Sequence, residues 1–189
     1  DVLEAFGLPE PKGPLFGVIG RLTRQKGFDL LGDVLGRLVD LGGALVVLGT
    51  GDREVEDSFS EAASRYPDGV GLRIEYDEAL AHRIEAGVDF FVMPSRYEPC
   101  GLNQMYSLRY GTLPVVHGVG GLDDTVIDVD EFPDTGNGIK FRVNALERAV
   151  ALYRDRDRMD AVIERAMAED HSWEASARRY VELYSEIAP

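Results

Sequence analysis

The chain has 189 residues, 44% of them apolar, enough for one domain with a full hydrophobic core. Its 34 acidic residues against 20 Lys and Arg leave a formal net charge of −14, which argues against nucleic acid or an anionic membrane as a partner. A lone cysteine, Cys100, excludes an internal disulfide and fits a reducing, cytoplasmic setting, and no signal peptide or bilayer-length apolar run is visible.

The chain begins at Asp1 without Met and is expected to be a piece of something longer, with residues 1–14 a linker remnant. Leu15 to Ile19 reads as a strand. Asp29 to Leu41 reads as a helix, with Leu30, Leu31, Val34, Leu35, Leu38 and Val39 on one face and Asp33, Arg37 and Asp40 on the other. Ala44 to Leu48 is the next strand and Arg53 to Tyr66 the next helix. Val70 to Glu75 then reads as a strand, Asp77 to Ala86 as a helix and Asp89 to Met93 as a strand. A turn carrying Glu98 leads into a helix over Gln104 to Tyr110, followed by strands at Leu113 to Val116 and Ile139 to Phe141. From Asn144 onward the pattern is helical. Ser172 is placed to cap the last helix, on which Trp173, Ala177, Tyr180, Tyr184 and Ile187 share a face; that stripe reads first as core, and otherwise as a docking face for a second domain. Apolar strands alternating with helices predict an α/β fold, a doubly wound parallel sheet covered on both sides.

Chemistry concentrates where strands are expected to end, the edge at which open α/β sheets bind ligands. The first strand runs into Gly20-Arg21-Leu22-Thr23-Arg24-Gln25-Lys26-Gly27. Arg21 can hold a phosphate bidentately and Lys26 adds a point charge, so the two suit a diphosphate without a metal; the plain alternative is a solvated surface loop. Pro94 to Gln104 supplies a carboxylate, Glu98, a glycine turn and a helix start at Gly101, Leu102 and Asn103, where free N–H groups and the helix dipole favour phosphate. Gly49-Thr50-Gly51-Asp52 ends the second strand; it offers close backbone approach to a ligand, or simply a tight turn and helix cap. Tyr76 follows the third strand and can stack on a base, Gly120 and Gly121 open another glycine turn, and His117 ends a strand and is placed to line the cleft. His82 and His171 read as a helix and a surface histidine. No metal-ligand spacing occurs, so no metal and no cofactor is expected. Neither a P-loop nor a dinucleotide-binding glycine fingerprint is present, which weighs against an NAD-dependent dehydrogenase.

Taken in order, these motifs resemble the bacterial glycogen synthase and starch synthase family, family 5 of the retaining glycosyltransferases. The matching segments are G-R-L-T-R-Q-K-G at Gly20 to Gly27, L-G-T-G-D at Leu48 to Asp52, Y-D-E-A-L-A-H-R at Tyr76 to Arg83, the run from Asp89 to Val116, and G-G-L-D-D-T-V at Gly120 to Val126. Tyr106 stands where many related transferases carry a second glutamate, in keeping with the synthase branch, whereas Gly138-Ile139-Lys140-Phe141 departs from the family's usual Gly-Phe pair.

The resemblance implies the C-terminal, Rossmann-like half of a GT-B fold. It implies transfer of glucose from ADP-glucose to an α-1,4-glucan with retention. It assigns Arg21 and Lys26 to the diphosphate, Tyr76 to adenine, Glu98 to the donor glucose, Gly101, Leu102 and Asn103 to phosphate, and Gly120 and Gly121 to the donor pocket. The acceptor would be held by an N-terminal domain outside this chain, on which residues 172–189 would dock. Alone the chain is expected to lack activity. The other readings are a stand-alone ADP or sugar-nucleotide binding module and a UDP-sugar transferase of the same fold.

Overall fold

The computed structural model describes residues 1–32, 34–141 and 144–187. Asp33, read above on the polar face of the first helix, lies outside the described residues. Six strands, β1 (Leu15–Ile19), β2 (Ala44–Leu48), β3 (Val70–Arg73), β4 (Phe90–Met93), β5 (Leu113–Val116) and β6 (Ile139–Lys140), form one sheet in the order β3-β2-β1-β4-β5-β6. Every pairing is parallel. This is the doubly wound order expected from the alternation of elements. It reverses between β1 and β4, and in an open α/β sheet the ligand crevice lies at the carboxyl ends of such neighbours.

The strands are buried because both sheet faces are covered. Phe16, Val18, Leu45 and Val47 join the cluster that also holds Leu35, Leu38, Val55 and Phe59. These last four lie on α2 (Leu35–Asp40) and α3 (Arg53–Arg65). The alternate residues Leu15, Ala44, Val46 and Leu48 meet Leu80 and Ile84 of α4 (Glu78–Gly87) on the other face. Full burial of such a side chain contributes about 1.5–3 kcal/mol. Asp77 caps α4 by accepting from the Leu80 N–H at 2.9 Å.

Three local expectations change. The segment read as a linker remnant contains α1 (Val2–Phe6), capped by Asp1 and closed by Gly7 at φ 65°, with Val2 and Leu8 buried. Five residues are too few to show a helical period. The single helix expected over Asp29 to Leu41 is instead a 3-10 turn at Phe28–Leu30 followed by α2, which starts at Leu35. Gly32 and Gly36 weaken helix there, and Asp29 is drawn to Arg96 of another loop; Leu30 and Val34 are left exposed. Finally, the stripe on α9 (Trp173–Ile187) is not core. The helix has no buried residue, and Trp173 is 87% exposed. Ser172 does cap it, accepting from the Ala175 N–H at 3.1 Å.

The remaining helices are α5 (Asn103–Tyr110), α6 (Gly121–Thr125), α7 (Ala145–Arg154) and α8 (Arg156–Ala168), with α8 packed on α5 and α7. The β6 region is tied down by polar groups. The side chain of buried Asp128 accepts from the Lys140 N–H at 2.8 Å and from Arg148 at 2.5 Å. Asn137, also buried, donates to Thr125 O and to Glu169.

Candidate functional site

The crevice between β1 and β4 is a cleft of about 250 Å³, bordered by Arg21, Lys26, Ser95, Glu98 and the Gly101–Asn103 approach to α5. Two interlocked loops build it. Gly27 sits at φ 71°, and a Cβ on it would fall 1.9 Å from Pro94 O, so only glycine lets the β1 loop lie this close to the end of β4. The contact is stitched by Arg96 N–H donating to Gln25 O at 2.9 Å. The Arg96 guanidinium also holds Asp29 through both carboxylate oxygens, at 2.6 and 3.0 Å. Its hydrogen bonds hold the Asp29 carboxyl below its ordinary pKa. Nothing in the sequence pattern pairs residues 67 positions apart, so this strap was not legible there.

The interlock brings Lys26 onto Glu98. Lys26 Nζ lies 2.5 Å from Glu98 Oε2, and Ser95 Oγ donates to the same oxygen at 3.0 Å. Glu98 itself is only 8% exposed. Its backbone is fixed from behind, where the Gly121 N–H donates to Glu98 O at 3.0 Å. A Cβ on Gly120 would lie 2.2 Å from Glu98 O, and one on Gly121 1.9 Å from Cys100 O. These two glycines therefore press the α6 turn against the Glu98 loop and do not border the cleft.

Arg21 is exposed, faces the cleft and has no ion pair or side-chain hydrogen bond among the described residues. At the start of α5 the first intrahelical bonds come from Met105 and Tyr106 to Leu102 O, and no side chain caps the N-terminus. The N–H groups of Asn103 and Gln104 thus have no partner within their own helix. Gln104 was not singled out by the sequence. It is fully buried, and the two protons of its Nε2 are shared among Cys100 O, Gly101 O and Thr125 Oγ1, all at 3.1–3.2 Å, locking the glycine turn to α6. A free cation, a lysine and an open helix N-terminus around one small cleft are an arrangement that suits an anion.

Several residues stand apart from it. Gly49 and Gly51 do not border the cleft: the β2 loop packs on the β1 loop, with Leu22 N–H donating to Thr50 O and Asp52 N–H to Leu22 O. There the turn reading prevails over close approach to a ligand. Tyr76 follows β3, two strands from β1, and its ring is open to solvent. His117 places Nδ1 2.9 Å from Ser95 O. His82 pairs with Glu85 and its ring lies 6.3 Å from that of Tyr110, while His171 pairs with Glu169. Cys100 is exposed, and its Sγ lies 3.5 Å from Gly101 O. Among the described residues no group of three or more His, Cys, Asp or Glu side chains converges, and no helix is long and apolar enough to cross a membrane.

The sequence signature of the glycosyl transferases group 1 matches residues 4–169. The chain belongs to this family. Among its curated relatives is a glycogen synthase of Halorhodospira halophila, 51% identical over 98% of this chain and 40% of the relative. Among solved structures, the catalytic domain of starch synthase IV from Arabidopsis thaliana, bound to ADP and acarbose, superposes with a TM-score of 0.85. It is 38% identical over 97% of this chain and 40% of that one. A sucrose-phosphate synthase from Thermosynechococcus elongatus has a TM-score of 0.66 at 26% identity, over 99% of this chain and 48% of its own. The chain thus has the Rossmann-like sheet of a GT-B fold and spans about 40% of the length of the curated relatives it matches.

Proposed function

We propose that this chain is the donor-binding half of a glycogen or starch synthase, which transfers glucose from ADP-glucose to an α-1,4-glucan with retention. The observation that carries the reading is the pairing of nearly buried Glu98 with Lys26, beside unpartnered Arg21 and the open start of α5. Arg21, Lys26 and the N–H groups near Gly101, Leu102 and Asn103 receive the diphosphate. Glu98 faces the glucose, and Tyr76 stacks on the adenine across the open edge of the sheet. Gly49, Gly51, Gly120 and Gly121 act from behind by holding these loops. As the sugar–phosphate bond breaks, negative charge grows on the leaving diphosphate and positive character on the sugar ring. Arg21 and Lys26 answer the first and Glu98 the second by electrostatic stabilisation.

The cleft's size supports a half-site. About 250 Å³ falls below the roughly 300–1,000 Å³ usual for small-molecule pockets. A second domain closing over it would complete the donor site and supply the acceptor groove, with the exposed stripe of α9 docking on that domain. The chain alone is then a nucleotide-binding module without transfer activity. The same-fold alternative, a UDP-sugar enzyme, is disfavoured because the starch synthase that is 38% identical to this chain is bound to ADP.

Calorimetric titration with ADP, UDP and ADP-glucose tests this directly. ADP binding in preference to UDP, weakened by Arg21→Ala, is the expected result. Equal binding of UDP, or ADP binding indifferent to Arg21→Ala, would overturn the assignment.

A further inference from the structure

We infer that Ser95, held by His117, is the positioning residue that keeps Glu98 aimed when Lys26 turns to a ligand. The inference rests on the reading of the cleft as a sugar-nucleotide site; it gives Ser95 a role and gives His117 one other than lining the cleft.

It begins with an imbalance at Glu98. Oε2 has two donors, Lys26 Nζ at 2.5 Å and Ser95 Oγ at 3.0 Å, whereas no donor among the described residues reaches Oε1. The two donors differ in kind. Lys26 is long, borders the cleft and keeps 23% of its side chain exposed. A diphosphate carries more negative charge than a single carboxylate, so binding one draws Lys26 off Glu98. That would strand a nearly buried carboxylate, a costly arrangement without another donor.

Ser95 is the donor that stays. It is 1% exposed and follows directly on β4 through Pro94. Its hydroxyl has a single proton, and a carboxylate only accepts, so that proton is committed to Glu98 Oε2. The Ser95 backbone is held in turn. Its carbonyl lies 2.9 Å from His117 Nδ1. A carbonyl oxygen only accepts, so the proton sits on Nδ1, in the neutral ring and in the imidazolium alike. His117 is itself fixed, its N–H donating to Met93 O at 3.1 Å in continuation of the β4–β5 ladder. The chain of bonds from the end of β5 through His117 and Ser95 therefore holds Oε2 and leaves Oε1 as the free acceptor for a sugar hydroxyl. Ser95 acts through Glu98.

The test compares ADP-glucose with ADP on the whole chain and on Ser95→Ala, His117→Leu and His117→Asn, with thermal melts to confirm folding. Asn can present an N–H where His presents Nδ1, and Leu cannot. Ser95→Ala and His117→Leu are expected to reduce the preference for ADP-glucose over ADP roughly ten-fold, the worth of a hydrogen bond to a charged group, and His117→Asn to retain most of it. Equal effects on both ligands, no effect, or identical behaviour of the Leu and Asn variants would overturn the positioning role. A second reading needs no nucleotide: the carboxyl-carbon NMR resonance of Glu98 should move in Ser95→Ala and His117→Leu and stay near its place in His117→Asn. If the chain binds neither ligand yet these resonances behave so, the donor-site reading fails and the positioning role stands. A resonance that ignores Ser95→Ala removes the positioning role whatever the nucleotides do.

Discussion

Arg21 and Lys26 are both cations of the cleft, but they stand in different states before a ligand arrives. Arg21 has no partner among the described residues, so truncating it removes only what it would do for an anion. Arg21→Ala is expected to leave the melting temperature in place and to weaken ADP roughly ten-fold or more, as the loss of a charge-assisted hydrogen bond. Lys26 already serves Glu98, whose side chain is 10% exposed. Lys26→Ala therefore leaves a nearly buried carboxylate with one donor and should cost about 1–3 kcal/mol of stability besides weakening ADP. Parallel calorimetry and thermal melts on the two variants separate these effects; equal losses of stability would show that the Lys26–Glu98 contact adds nothing to the empty site.

The loops are set by elements that meet without being near in sequence, and this divides what could be read in advance from what could not. Several strands were legible because they are apolar throughout, and β1, β2 and β5 fall where the pattern placed them. Glu98, Lys26 and Arg21 were legible as residue types at strand ends. The Ser95–Glu98 bond, the Arg96–Asp29 strap and the inward turn of Gln104 were not, since each depends on which loops the sheet brings together. The role of Gly27 belongs to the same class. Gly27→Ala puts a Cβ into Pro94 O at positive φ, so it is expected to destabilise the domain by more than the roughly 1 kcal/mol of an ordinary backbone mismatch and to abolish ADP binding with it. An Ala variant that melts and binds like the parent would show that the two loops need not interlock.

The same dependence on distant partners governs the β6 side. Burial works against the charge of Asp128 and Asp130, but hydrogen bonds from Arg148, and for Asp130 also Arg158, prevail and hold both carboxyls below their ordinary pKa. Lowered carboxyls add stability that is present above their unfolded value near 3.9 and is lost as pH falls through the lower folded values. Glu85 and Asp89 are raised by burial and act with the opposite sign: their contribution declines as pH rises from their unfolded to their folded values. Arg148→Ala strips a partner from buried Asp128 and should cost about 3 kcal/mol near neutral pH, with the deficit shrinking at acid pH as the aspartate carboxyl of the folded variant, no longer held down by Arg148, takes up its proton before that of the parent. Denaturant titrations at pH 7 and pH 3.5 check the sign; a deficit constant with pH would place its origin in packing.

At the scale of the molecule, the sheet and its covering helices bury their own apolar faces, and α9 does not. It has 15 residues, none of them buried, and the exposed rings of Tyr180 and Tyr184 lie 6.3 Å apart, tilted by 33°. Sequence periodicity identifies such a stripe but cannot say what covers it, which is why a core reading was natural and incorrect. A helix of this length is marginal in water when nothing packs on it, whereas α8 buries Met159, Val162 and Ala166 against the domain. Amide hydrogen exchange on the dilute chain should therefore find α9 unprotected while α8 approaches the global stability. Raising the concentration should protect α9 as copies cover the stripe, and Tyr180→Lys with Tyr184→Lys should cancel that gain without touching α8. Protection of α9 equal to that of α8 in a dilute monomer would mean that the helix is stabilised within this chain, and the proposal that it docks on a further domain would lose its physical basis.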